Sequence, residues 1–223
     1  MRPGCLTILV AVGLTLVLPW VFADLLATAL GKLHIGPRAA SLIVSAIFAG
    51  SLINIPVKRI ARREPLMLDP LALFGLQGWW PELQRLQPET IVAVNVGGCV
   101  IPICLSLYET FILMSHPRAL GALGAATVVN VIVCYKLARP VEGLGIAMPP
   151  LVPAAVSCGV ALLLAPSFAP PVAFVAGVVG PLVGADLLHL REVDRIESGR
   201  VSIGGAGTFD GILLTGILAL YLA

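Results

Sequence analysis

Between residues 143 and 185 the chain carries no charged side chain, a stretch that a soluble fold has no use for. A hydrocarbon core of about 30 Å is crossed by roughly 17 to 25 apolar residues in helical form. This run alone is therefore long enough for two crossings, divided by the turn-forming string Ala165-Pro166-Ser167-Phe168-Ala169-Pro170-Pro171. Inside a bilayer every backbone N–H and C=O needs a partner within the protein, a condition that helices meet. The rest of the chain follows the same logic, because 58% of its 223 residues are hydrophobic and only 12% are charged, too few to cover a soluble globule.

The charges act as punctuation. They divide the chain into about seven apolar segments, near residues 5–30, 39–55, 91–113, 120–138, 149–166, 171–190 and 203–222. The expected fold is a single all-α domain, 1–223, a polytopic transmembrane helix bundle. Several of its helices are interrupted by Gly and Pro: Gly97, Gly98 and Pro102 in the third segment, and Gly145, Pro149 and Pro150 before the fifth. Such backbone is tolerated at membrane depth only when buried in protein or lining a cavity. The connection 57–90 is too polar to cross and carries Trp79-Trp80-Pro81, so it is expected to lie in the cytoplasmic interface. A cleaved signal peptide is the rival reading of the first segment, since Arg2 precedes it and Val21-Phe22-Ala23 resembles a cleavage site.

Orientation follows from Lys and Arg. With a cytoplasmic N-terminus, eleven of the fourteen fall inside, and only Lys32, Arg38 and Arg118 fall outside. The seventh span then ends outside, and the location is the cell (inner) membrane. The net charge of +2 and the scatter of basic residues among loops give no footprint for nucleic acid. Cys5, Cys99, Cys104, Cys134 and Cys158 each sit in an apolar segment and read as small buried residues rather than a disulfide framework. The strings Val94-Asn95-Val96-Gly97-Gly98 and Val201-Ser202-Ile203-Gly204-Gly205 each open a span and resemble one another, as internal repeats of transporters do.

Ionisable groups in an apolar span cost on the order of 2.5 to 3.5 kcal/mol and call for an explanation. Asp186, in Gly184-Ala185-Asp186-Leu187-Leu188-His189, is expected roughly 7 Å from the cytoplasmic end of its helix. Asp210, in Gly207-Thr208-Phe209-Asp210-Gly211, is expected roughly 10 Å deep in a helix starting near residue 203. At similar depth on consecutive antiparallel helices, two carboxylates in a low dielectric share one proton and form an acid and base pair. One takes a proton from water while the other donates to a carbonyl oxygen. The structural reading has Asp186 paired with a nearby Arg and Asp210 capping the last helix. A third reading makes Asp186, His189 and Asp210 metal ligands, although this spacing forms no metal motif. Asn95, Asn130 and Glu142 are supporting polar residues in the same half. Each also has a structural use: Asn95 for backbone freed at Gly97-Gly98, Asn130 for linking helices, Glu142 for pairing with Arg139. Gly177, Gly180 and Gly184 read as a helix-packing face. No cofactor motif is present, and membrane lipid is the one partner that composition implies.

The strings at residues 94–102, Arg139-Pro140-Val141-Glu142-Gly143-Leu144-Gly145-Ile146, residues 184–190 and residues 202–211 resemble a prokaryotic membrane family catalogued as domain of unknown function 1614. The resemblance implies an integral membrane protein and no activity. Phe209-Asp210 and Gly184-Ala185-Asp186 are also loosely similar to the two aspartate elements of intramembrane aspartyl proteases of the presenilin, signal-peptide-peptidase and prepilin-peptidase kind. Here the glycine-rich element comes first and Ala185 stands where those proteins have Gly. Three functions follow as expectations. The first is an aspartyl-dyad hydrolase acting on a membrane-embedded peptide at the cytoplasmic side. The second is a transporter or channel binding a small solute between its broken spans, helped by oligomerisation. The third is a helper subunit with no enclosed polar cavity.

Overall fold

The computed structural model describes residues 17, 19–33, 35–61, 89–141, 145–190, 200–205 and 210–223. Glu142, most of the 57–90 connection with Trp79-Trp80, the start of the first segment, and Arg191 and Arg195 lie outside the described residues. Among the described residues there are seven apolar helices: α1 (Pro19–Gly31), α2 (Pro37–Ser51), α3 (Ile101–Leu113), α4 (Pro117–Leu137), α5 (Leu151–Leu164), α6 (Ala169–Gly180) and α7 (Gly211–Leu222). Proline opens α2, α3, α4 and α6, in the first turn, where the missing N–H has no intrahelical partner to lose. With their flanking turns, the segments Val96–Leu113, Pro117–Leu137 and Pro166–Leu187 are long and apolar enough to cross a bilayer, and the other four helices are shorter.

The bundle is built around α6, which packs against α3, α4, α5 and α7. Over the Pro166–Leu187 segment 67% of the best apolar window is buried, against 28% for α4, so α6 is the central helix and α4 faces outward. Leu107, Phe111, Val128 and Leu163 are exposed apolar side chains on the outer helices, as a lipid-facing surface requires. Glycine sets the closeness of the packing. A Cβ on Gly177 would meet Thr215 O and Gly216 Cα of α7 at 3.0 Å. One on Gly180 would run into the Asn130 side chain, and one on Gly184 into Val131 O, both on α4. The three glycines thus serve two helix interfaces rather than one face.

The helical bundle also carries two small sheets that the apolar runs concealed. β1 (Asn54–Ala61) follows α2 after a short turn, and β2 (Glu89–Asn95) pairs with it antiparallel. β5 (Arg200–Ile203) lies parallel to β2 in the register Ile91↔Arg200 to Val94↔Ile203, giving the order β1, β2, β5. β3 (Arg139–Val141) and β4 (Gly145–Ala147) form a separate hairpin ahead of α5. The third and seventh segments are therefore strands at their first residues, not helix. Thr90-Ile91-Val92-Ala93-Val94 and Val201-Ser202-Ile203 are β-branched and apolar, which suits a buried strand as well as a span. The breaks at Gly97 and Gly98 take the form of a π-helical turn, Val96–Val100, that runs into α3 with Pro102 in its first turn. Gly145 opens β4, and Pro149 and Pro150 are the two residues that precede α5.

Candidate functional site

Where the sheet meets the helix ends there is a cavity of about 490 Å³. Its walls come from five places: Asn54 at the start of β1, the π-helical continuation of α6 (Pro181–Leu187) with Leu190 beyond it, β4 and Met148 after it, β5 with Gly205 after it, and the first residues of α7 with Asp210 before them. Asp186 and Asp210 both line it.

Asp186 sits in the widened π turn rather than in regular helix. Its carboxylate accepts a hydrogen bond from the Gly204 N–H, and the charge that acts on it is that of Asp210. Among the described residues it has no cationic partner. Gly204 is held in the left-handed region at φ 70°, and a Cβ there would meet Cys99 Cβ at 2.7 Å and the Gly98 carbonyl carbon at 2.8 Å. The turn after β5 is thereby pressed onto the π turn that opens α3, which aims the Gly204 N–H at Asp186.

Asp210 is the N-cap of α7, its Oδ2 accepting from the Ile212 N–H at 2.9 Å. The helix expected from about residue 203 begins instead at Gly211, so this aspartate stands at the helix mouth and not two turns inside. The capping part of the structural reading holds for Asp210, while the arginine pairing of Asp186 falls on Arg191 and Arg195, which lie outside the described residues, and among those described Asp186 accepts a backbone N–H.

The supporting residues scatter. Asn95 is fully buried at the end of β2: its Nδ2 donates to Ser51 O (2.7 Å) and Asn54 Oδ1 (3.2 Å), and its Oδ1 accepts from the Gly98 N–H (2.8 Å). It caps the π turn and does not line the cavity. Asn130 donates to Ala176 O at 2.8 Å, tying α4 to α6 away from the cavity. His189 is buried against the Tyr135 ring, centroids 4.8 Å apart. Its Nδ1 donates to Ala185 O at 2.9 Å and Gly184 O at 3.1 Å, closing carbonyls that the π turn frees. The ring nitrogen thus serves its own backbone, and among the described residues no three His, Cys, Asp or Glu side chains converge on a metal position.

Two cavity residues escape a reading of the sequence. Asn54 Oδ1 accepts from Ser202 Oγ at 2.7 Å as well as from Asn95, linking β1, β2 and β5 beside the aspartates. A neutral Asn at a span end and a Ser in a valine-rich string are ordinary. The usable signal was the likeness of residues 94–98 to 201–205, since those strings begin in parallel neighbouring strands. Glu109 is also missed: it is buried on α3 with Oε1 lacking a hydrogen-bond partner, and it is not part of this cavity.

Among known protein families, the model of one described as protein of unknown function (DUF1614) fits residues 48–222. No curated protein and no solved structure matches the chain.

Proposed function

Since the chain belongs to this family of proteins of unknown function (DUF1614), we propose its activity from the site alone: an aspartyl-dyad hydrolase acting on a membrane-embedded peptide, with Asp186 and Asp210 as a shared-proton pair. The observation that carries the reading is that two carboxylates from separate helices line one cavity and Asp186 meets Asp210 as its charged neighbour. The N-terminus of α7 favours negative charge on Asp210, so Asp210 is the base and Asp186 holds the proton. Asp210 takes a proton from water as the water oxygen bonds to the carbonyl carbon, and Asp186 gives its proton to the carbonyl oxygen. The tetrahedral adduct then collapses: its C–N bond breaks, the amine leaves with the proton held by Asp210, and a hydroxyl proton returns to Asp186. By the distribution of Lys and Arg the cavity opens on the cytoplasmic side.

The transport reading needs a cavity between both broken segments, and only the second of them lines this one. Gly97 is packed against α2, where a Cβ would run into Ile47 O and meet Ser51 N at 2.5 Å. The test is a comparison of membranes from cells producing wild type, Asp186→Asn and Asp210→Asn, with peptide termini labelled and identified by mass spectrometry. Termini present with wild type and lost with both variants support hydrolysis. An identical set in all three overturns it.

A further inference from the structure

Val201, Ser202 and Ile203 are consecutive residues of β5, and all three line the cavity. Consecutive strand side chains point to opposite faces, so a cavity lying on one face touches every second residue. A cavity that touches three in a row runs along the strand's edge. β5 is at such an edge, with β2 on one side and no strand on the other among the described residues. The opposite wall repeats the pattern: Ile146 and Ala147 are consecutive in β4, both line the cavity, and β3 occupies β4's other side. Ile146 and Leu190 pack on Val201, so the two edges border the same space over an apolar contact.

Resting on the carboxylate-pair reading, the geometry points to a specific form of substrate: a peptide in extended conformation that adds as a strand to the edge of β5 away from β2, its scissile carbonyl between Asp186 and Asp210. An edge strand presents backbone N–H and C=O groups to whatever lies beside it. The four residues of β5 span about 13 Å, enough to pair with roughly four residues of an extended chain. Gly205 and Gly211 line the cavity beside Asp210 and leave room for a second backbone. Gly211 is not demanded by packing, because a Cβ there would meet only Met148 Cε at 3.9 Å. The open position is occupied by substrate backbone.

The test uses the full chain in lipid nanodiscs and a library of apolar peptidomimetics of varied side chains. In each, one peptide bond is replaced by a hydroxyl-bearing isostere and one amide is N-methylated. Strand addition predicts an alternation: methylation at every second amide weakens binding about tenfold, the loss of one hydrogen bond, and the amides between tolerate it. Gly211→Val, which adds bulk in the cavity beside Asp210, is expected to weaken the whole library. Uniform response to the methyl position, with binding that still requires the hydroxyl and both aspartates, overturns the strand and leaves the carboxylate pair standing. Alternation with indifference to the hydroxyl and to Asp186→Asn keeps the strand and removes the carboxylate pair. Absence of binding across the library overturns the inference.

Discussion

On the proposed mechanism Asp210 has a structural and a chemical duty, and one substitution separates the two. As N-cap it satisfies the Ile212 N–H through a 2.9 Å bond, and replacing such a cap with alanine costs about 1 kcal/mol. In a chain of this length that corresponds to a melting point lower by about 2 to 4 °C. Asparagine caps as well as aspartate does, so Asp210→Asn keeps the bond. It gives up the attraction of a charge for the helix N-terminus, roughly 0.3 to 1 kcal/mol, and leaves Asp186 without a like charge to compete with when it ionises, so the two effects offset. The expected pattern is a wild-type melting curve with hydrolysis reduced about 10²- to 10⁴-fold for Asp210→Asn. Asp210→Ala is expected to lose as much activity and also melt lower. Tryptophan fluorescence on heating reads the first property, and release of labelled peptide termini reads the second. An active Asp210→Asn protein would refute the acid and base pair. An Asp210→Asn protein that melts with Asp210→Ala would refute the separation of cap from chemistry.

Three further outcomes test the packing that holds the site. Gly180→Ala should destabilise by about 1 to 3 kcal/mol through its contact with Asn130. Adding Asn130→Ala should recover part of that loss, a coupling of at least about 1 kcal/mol in a double-mutant cycle read by thermal melts. Gly204→Ala places a side chain in the left-handed region and against Cys99, so it should lower the melting point by roughly 4 °C or more and reduce hydrolysis with it, as Asp186 loses its N–H donor. At the opposite end of the bundle, Lys32 donates to Tyr221 O at 2.6 Å near the last turn of α7, and Lys32→Met should lower the melting point by about 2 to 4 °C without altering hydrolysis.

What could be read from the residues follows their chemistry. A run of about 20 apolar residues has one economical use, so the helical bundle and the order of its helices were legible, while their lengths were not: three are long enough to cross a bilayer and four are shorter. A charge inside such a run is conspicuous, and Asp186 and Asp210 were found that way. Strands were not legible, because β2 and β5 draw on the same valine, isoleucine and threonine that fill a membrane helix, and a four-residue strand has too few residues to show a period of two. Asn54 and Ser202 were missed for a related reason: they matter only because β5 pairs with β2 from more than a hundred positions away.

The polar residues of this half of the bundle divide by what they satisfy. Three chain segments leave regular α-helix in this half of the bundle, two of them at the cavity: the π turn before α3, which lies off it, the π segment after α6, and the strand and turn before α7. Each departure frees backbone groups, and each has a polar side chain that takes them up: Asn95 for Gly98, His189 for Gly184 and Ala185, Asp210 for Ile212. Asp186 is different. It accepts one N–H, from Gly204, which an asparagine oxygen accepts equally well, and it sets beside Asp210 a second carboxyl group that ionises only against that charge. Among the described residues no cation pairs with it, and holding two carboxyl groups together in a buried site costs stability. Asp186→Asn should therefore leave the melting point unchanged or raise it while abolishing hydrolysis, the trade of stability for activity expected of a functional group. A melting point several degrees below wild type would place Asp186 with Asn95 and His189, as a residue that holds the backbone.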